Sequence, residues 1–550
     1  MKMNVANRLV ALAQSQPDTI AVAEPLKKYV NGKRQYKTIT YRELNELSDR
    51  IARGVLDQGV KPGMRIALLV RPGVDFVASV FGLLKSGAVM ILIDPGMGGR
   101  NLLKCLQDSR PDGFFAIPAV QAIRCLLFYR FPRAKYNITA GRRWFWGGTT
   151  LEKIKAMPYP GPQMADTQPE ALAAIIFTTG STGPSKGVGY THETFETQVS
   201  EIAKQYNIQP GQVDLPGFPM FGLFNCAMGS TAVLPDLDAS RPASVDPCNI
   251  IEAVRDWNVT QSFGSPAIWK KVGAYCQKTG QRLNSVRMIL SAGAPVQEPV
   301  LQSMVDCICP GGVVHTPYGA TEALPVATID SNTLLSETSL LSREGKGTCV
   351  GNHFPSIQWK VIRTIDGPIA DIAEIEELPR GEIGELIVFG PQITRRYETR
   401  QDANKTGKIP DADRVWHRMG DVGYLDDKDR FWFCGRMAHR VCSETKTYYT
   451  IPTEAIFLNC ASVNRAALVG IGRPYQQKPI MIIEPKDPNL CSDMKKSERL
   501  LEELAAIAKT SALTADIDTF LLHPSFPVDI RHNAKIFREK LAVWAAKELK

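Results

Sequence analysis

The sequence predicts an α/β protein: a large N-terminal domain of layered α/β subdomains with a small antiparallel barrel, followed by a small α+β C-terminal domain. Three observations predict it. Through the first three quarters of the chain, amphipathic helical stretches alternate with short β-branched runs, the pattern of largely parallel sheets. Around Gly381 the texture changes to "GEIGELIVFGPQI" and "GDVGYLDDKDRFWFCGR", which reads as antiparallel strands joined by tight turns. Beyond Gly435 and Arg436 a compact tail of mixed strands and helices ends in the charged helix "REKLAVWAAKELK". The 550 residues exceed one ordinary core. The boundary is expected within Cys434 to Val441, dividing the chain into residues 1–435 and 436–550.

The opening stretch "MKMNVANRLVALAQSQPDTIAV" lacks the apolar core and cleavage site of a signal peptide and reads as an amphipathic helix. Next, "YRELNELSDRIARGVLDQG" is a helix feeding the strand "RIALLV", and "DFVASVFGLLKSGA" is a helix feeding "VMILI". The latter pair is the most apolar run, yet Lys85 breaks it short of a membrane span. The twelve cysteines are scattered without metal-site spacing, which suits reduced, mostly buried thiols and a cytoplasmic protein.

From Gly113 to Leu151 there is no acidic residue, while Arg124, Arg130, Arg133, Lys135, Arg142 and Arg143 alternate with Phe128, Tyr129, Phe131, Trp144, Phe145 and Trp146. That mixture fits a membrane surface or a protein docking face; a solvated basic face with its aromatics turned into the core fits equally. The formal charge of +9 is small for this length, so no nucleic-acid partner is expected.

The most informative stretch is "AAIIFTTGSTGPSKGVGYTH", Ala173 to His192. Its apolar start reads as a strand, and Thr178, Thr179, Gly180, Ser181, Thr182, Gly183 and Lys186 follow in a loop of hydroxyls and glycines. Free backbone N–H groups and one lysine make a cradle for a phosphate chain, with ATP the obvious guest. The common nucleotide loop is excluded, because counting from Gly180 it needs glycine at Ser185 and a hydroxyl at Gly187.

Four further stretches are weak alone and strong in order. "SAGAP" (Ser291, Ala292, Gly293, Ala294, Pro295) and "YGATE" (Tyr318, Gly319, Ala320, Thr321, Glu322) follow apolar runs, so small residues let a flat base approach while Tyr318 offers a stacking face. Glu322 offers a hard oxygen to Mg²⁺. "HRMGDVGY" places Asp421 in a turn where a carboxylate can accept ribose hydroxyls, and "VDIRHNAKIFREK" places Lys535 on a polar loop.

In this order the motifs resemble the adenylate-forming superfamily of acyl-CoA synthetases, luciferases and non-ribosomal adenylation domains, from "TYRELNELSDRIA" to Lys535. The resemblance implies that fold, with a mobile C-terminal domain, and gives ATP and Mg²⁺ as cofactors. It also implies that the Thr/Ser/Gly loop and Lys186 hold the phosphates and that "SAGAP" with Tyr318 flanks adenine. Thr321 would meet the α-phosphate, Glu322 would hold Mg²⁺, Asp421 and Arg436 would hold the ribose, and Lys535 would reach the carboxylate and α-phosphate.

Two segments depart from the thioester-forming pattern. "GRMAHRVCSETKTYYTIPTEAIF" has Ala438 where a hinge acid or lysine is expected and lacks the Gly-x-Arg, while Pro452 and Glu454 remain; the lysine segment reads "FPVDIRHNAKIFREKLAVW". With "DLPGFPMFGLF", "FGSPA" and "GTCVG", these segments resemble the β-lactone-forming branch that serves bacterial long-chain olefin synthesis. That implies a 2-alkyl-3-hydroxy long-chain fatty acid substrate whose own hydroxyl replaces CoA, with assembly with other olefin-pathway enzymes or peripheral association with the inner membrane face as expectations. Phe218, Phe221, Phe224, Phe263 and Gly264 are candidates for the acyl pocket. His192, His315, His439 and His532 are candidate bases, none assigned. The alternatives are a long-chain fatty acyl-CoA synthetase, a module loading a carrier protein, disfavoured because the chain ends soon after Lys535, and a non-catalytic ATP-binding scaffold.

Overall fold

The computed structural model describes residues 2–178, 184–218, 221–238, 241–528 and 536–549, without the side chains of residues 95, 221 and 223. The expected opening helix spans Asn7–Ser15, and the helix Tyr41–Asp57 begins with a capping box in which Thr40 and Glu43 exchange side-chain and backbone hydrogen bonds.

Two seven-stranded sheets form the large layers. One runs Thr149–Thr150, Tyr136–Thr139, Gly113–Ala116, Arg65–Leu69, Val89–Leu92, Leu172–Phe177, Gly187–Thr191, parallel except for the last pair. The other runs Val313–His315, Met288–Ser291, Gln261–Gly264, Val213–Pro216, Thr231–Val233, Ile20–Val30, Lys33–Thr40, again parallel but for its last pair. All of the helix Val74–Ser86 but Asp75 is buried, contacting strands of both sheets, which explains why its sequence shows no polar stripe. Lys85 survives there because Asp49 lies 2.7 Å from its Nζ. Among the described residues no helix is long and apolar enough to cross a membrane.

The expected antiparallel unit is a half-barrel ordered Thr348–Cys349, Phe431–Arg436, Arg414–Leu425, Gly384–Phe389, Gln358–Ile362, with Lys408–Asp411 paired to Arg414–Leu425. Beyond Val441 the chain builds a three-stranded sheet, Val463–Ile471, Lys478–Pro485 and Phe520–Leu522. One face of it packs on Phe457, Leu500 and Leu504 and the other on Phe526 and Leu541, so this segment has apolar cores of its own.

All twelve cysteines are free and most are buried. The basic aromatic stretch divides: Phe131 and Trp146 turn into the protein, whereas Phe128 (70 %), Tyr129, Trp144 and Phe145 (74 %) are exposed, as are Ile123 and Leu126 on the adjoining helix Pro118–Leu126.

Candidate active site

The strands Leu172–Phe177 and Gly187–Thr191 form an antiparallel hairpin around the hydroxyl-rich loop. Its mouth is closed by the Thr178 N–H donating to the Lys186 carbonyl at 3.0 Å and the Lys186 N–H donating to Thr178 Oγ1 at 3.1 Å. Thr179, Gly180, Ser181, Thr182 and Gly183 lie outside the described residues, as do His532 and Lys535.

A continuous cavity of about 2480 Å³ reaches from this hairpin to the C-terminal segment. Thr178, Lys186, Ser291, Ala292, Gly293, Ala294, Pro295, Tyr318, Gly319, Ala320, Thr321, Glu322, Asp421 and Arg436 all line it, so the structure brings together motifs spread over more than 250 residues of sequence. At Gly319 an added Cβ would lie 2.6 Å from the Ala323 carbonyl, so only glycine fits that turn.

At one wall the buried Tyr318 hydroxyl donates to Asp421 Oδ2, and Arg436 Nη1 lies 2.9 Å from Asp421 Oδ1. Burial, reinforced by Asp421, pushes the Tyr318 phenol well above its ordinary pKa, so it remains a donor. Asp421 and Arg436 face each other in register across adjacent half-barrel strands.

The opposite wall was less visible in the sequence. Tyr397 donates from its hydroxyl to Glu322 Oε1 at 2.8 Å, and Thr394 donates through its N–H (3.0 Å) and hydroxyl (2.9 Å) to the Glu322 carbonyl. The Lys186 and Lys408 ammonium groups sit 4.8 and 5.6 Å from the Tyr397 ring centre. Lys408 is buried and donates to the Thr394 carbonyl; burial lowers its pKa to about 7, helped by Lys186 and opposed by Glu322. Tyr190 donates to the Thr321 carbonyl, fixing the same turn. Sequence reasoning missed Tyr190, Tyr397 and Lys408; the signal available was the lone tyrosine, Tyr397, in the otherwise polar "RRYETRQDANKTGK".

Phe218, Phe224 and Phe263 line the cavity, joined by Phe81, Met90 and Phe195 from the N-terminal layers. Of Phe221 only the backbone is described, opening the helix Phe221–Met228. Gly264 is not among the lining residues: an added Cβ there would lie 2.6 Å from the Trp269 indole nitrogen, so its role is to admit that ring.

The histidines separate by surroundings. His192 is buried and accepts from the Val5 N–H, and burial lowers its pKa to about 4, so it is a neutral structural group. His315 packs on the Tyr206 ring, its pKa also lowered by burial. His439 lines the cavity but is held by Glu539 at 3.2 Å.

Comparison with known proteins agrees with this geometry. Residues 10–398 match the family model described as AMP-binding enzyme. The chain is 42 % identical to a protein of Xanthomonas campestris named olefin beta-lactone synthetase, over 99 % of this chain and 98 % of that one. A protein of the same name from Stenotrophomonas maltophilia matches at 42 %, with the same coverage. Among solved structures, o-succinylbenzoate coenzyme A synthetase from Bacillus subtilis, in complex with ATP and magnesium ion, superposes with a TM-score of 0.72 at 20 % identity, covering 97 % of this chain and 99 % of that one. The chain belongs to the AMP-binding enzyme family, and it is an adenylate-forming ligase.

Proposed function

We propose that this enzyme activates a 2-alkyl-3-hydroxy long-chain fatty acid with ATP and closes it to a β-lactone, releasing pyrophosphate and AMP. The observation that carries the reading is the single cavity joining the Tyr318, Asp421 and Arg436 wall to the aromatic branch at Phe81, Phe195 and Phe224. A nucleotide and an alkyl acid can therefore meet at the Thr321–Glu322 turn. The names of the two relatives at 42 % identity support the lactone product.

In the first step a substrate carboxylate oxygen bonds to the α-phosphorus and the bond to the β-phosphate oxygen breaks, expelling pyrophosphate. Two anions meet, so cations must be in place beforehand. Lys186 supplies one, Lys408 a second in its protonated form, and Lys535 is the candidate third. Asp421 and Arg436 orient the ribose, and the Ser291–Pro295 turn with Tyr318 encloses the base. Among the described residues no group of three or more His, Cys, Asp or Glu side chains converges, and one carboxylate with substrate phosphates suits Mg²⁺. Glu322, oriented by Tyr397, would hold that ion, which supplies charge neutralisation at the phosphates.

In the second step the 3-hydroxyl oxygen bonds to the acyl carbon and gives up its proton to solvent, while the acyl–oxygen bond to AMP breaks and AMP leaves with its electron pair. Holding the hydroxyl beside the acyl carbon replaces a second substrate by proximity. Residues 436–550 act as the lid that brings Lys535 to the cleft, a role supported by their separate apolar cores and by the cavity-lining Ala438 and His439 at the junction.

The insoluble acid is taken from an anionic lipid surface through Ile123, Leu126, Phe128, Tyr129, Trp144 and Phe145. Charge complementarity supports this occupant, since Arg130, Lys135, Arg142 and Arg143 are exposed in the same acid-free stretch.

The test is a product assay by NMR and mass spectrometry with Mg²⁺, ATP and a synthetic 2-alkyl-3-hydroxy acid, run with and without CoA. A CoA-independent product one water lighter than the acid, with lactone ring-proton signals and equimolar AMP, is the expected result. Acyl-CoA formed only when CoA is added would overturn it.

A further inference from the structure

One buried polar side chain in the acyl branch makes no well-formed hydrogen bond, although the Tyr190 hydroxyl lies near its amide. Gln198 lies on the helix His192–Gln205, is fully buried, and lines the cavity. Neither its Nε2 nor its Oε1 makes a hydrogen bond. The other buried polar residues near the start of this helix are satisfied: His192 accepts from Val5, and Thr194 pairs with Thr191. A buried amide with both ends unpaired costs the desolvation of a donor and an acceptor. Leucine or methionine would occupy that place without the penalty.

The surroundings say what the amide meets. Along the branch the neighbours are apolar, Met90, Phe195 and Phe224 among them. In the direction of the reaction centre lies Tyr190, whose hydroxyl is close enough to the Gln198 amide for the amide to favour its ionised form, though burial dominates and raises its pKa. That same hydroxyl donates to the Thr321 carbonyl, one residue before Glu322. Gln198 thus sits at the border between the alkyl branch and the turn where the carboxylate is activated.

We propose that Gln198 recognises the 3-hydroxyl of the acid and holds it toward the acyl carbon; the proposal rests on the 3-hydroxy acid reading above. A neutral amide offers both N–H donors and a carbonyl acceptor, the complement of a hydroxyl that must donate and accept. An anionic group would call for a cation instead. Gln198 cannot take the proton at this pH range, so its part is binding and positioning. An acid without the hydroxyl leaves the amide unpaired, and a site built to hydrogen-bond a hydroxyl rejects the analogue lacking it.

The experiment compares wild type and Gln198→Met in acid-dependent ATP–pyrophosphate exchange, using a 2-alkyl-3-hydroxy acid and its 3-deoxy counterpart. Wild type is expected to prefer the hydroxy acid in kcat/KM by ~10-fold or more. In Gln198→Met the ratio collapses toward one, while the thermal midpoint holds or rises because the unpaired amide is gone. Equal losses for both acids, a preserved ratio, or a wild type without preference would each overturn the proposal. Gln198→Leu serves if the methionine variant does not fold; failure of both to fold would show that the fold itself needs the amide, which also overturns it. Exchange reports adenylation alone, so the two readings fail separately. A wild type that makes lactone while Gln198→Met keeps the ratio sinks the role of Gln198. A wild type that makes no lactone, yet prefers the hydroxy acid until Gln198 is replaced, sinks the lactone reading.

Discussion

Arg538 grips Glu454 with both carboxylate oxygens 2.7 Å from its Nη2, and the Leu468 N–H donates to the same carboxylate at 2.8 Å. Arg538 opens the last helix, three residues beyond Lys535, and Ile536 bridges to Val528, so the two flanks of the lysine segment are tied to each other. Burial raises the Glu454 pKa and Arg538 opposes that. Arg538→Met should therefore destabilise the protein by about 3–5 kcal/mol at pH 8, where a buried carboxylate loses its cation. The sign with pH follows from the raised folded-state pKa: the protonated carboxyl is tolerated at low pH, and stability is lost as pH rises through that pKa. Thermal denaturation at pH 5 and pH 8 should show the smaller loss at pH 5; equal losses would mean that the pair is not what matters.

Tyr318 and Arg436 hold Asp421 from two sides before any ribose arrives. Tyr318→Phe removes one hydrogen bond to a carboxylate, so the KM for ATP should rise by roughly 10-fold while the KM for the acid changes little. ATP–pyrophosphate exchange with each substrate varied in turn measures both. A change confined to the acid would place Asp421 away from the nucleotide.

Lys408 titrates in the folded protein near 7 against an ordinary 10.5, with burial as the main cause. Between those values the unfolded chain binds the proton that the folded one has released, so this residue makes stability rise with pH, by up to ~1.4 kcal/mol per unit. Below about 7 both states are charged and the dependence ends. In Mg²⁺-free buffer, wild type measured against Lys408→Met should gain stability from pH 7 to pH 10 and stay level from pH 5 to pH 6. A flat difference over the whole range would mean that water or an anion solvates the ammonium.

The parts of the site that were legible in sequence are those where backbone shape is the function. The Ser291–Pro295 turn and Tyr318–Glu322, which the structure brings to the cavity wall, carry small residues and hydroxyls at fixed local spacing, and such spacing survives without knowledge of the fold. Tyr190, Tyr397 and Lys408 act through burial and through partners distant in sequence, as Tyr397 does with Glu322. Nothing local marks a lysine that will be buried, so Lys408 looked like its solvated neighbours. Gly264, an acyl-pocket candidate from sequence, is absent from the cavity lining because the space beside its Cα is filled by Trp269.

Periodicity also could not decide which aromatics of the Gly113–Leu151 stretch face water. Trp146 is inside because its indole nitrogen donates to Thr139 Oγ1 at 2.9 Å, and Trp144 and Phe145 remain outside, packed on its ring. Exposed aromatics among exposed arginines need a reason, since each leaves apolar area in water that an interface would bury. If the reason is an anionic lipid surface, two forces add: insertion of Leu126, Phe128 and Phe145, and attraction of about 1 kcal/mol for each nearby Lys or Arg. The triple change of Leu126, Phe128 and Phe145 to serine should abolish sedimentation with phosphatidylglycerol vesicles at every salt concentration. Arg142→Glu with Arg143→Glu should weaken it at low salt and matter less at high salt, where screening already removes the charge term. Equal binding to neutral vesicles, or no binding by wild type, would rule out an anionic lipid surface and return these rings to a protein partner. The two sets of variants keep ATP–pyrophosphate exchange as a folding control, because none of these residues lines the cavity.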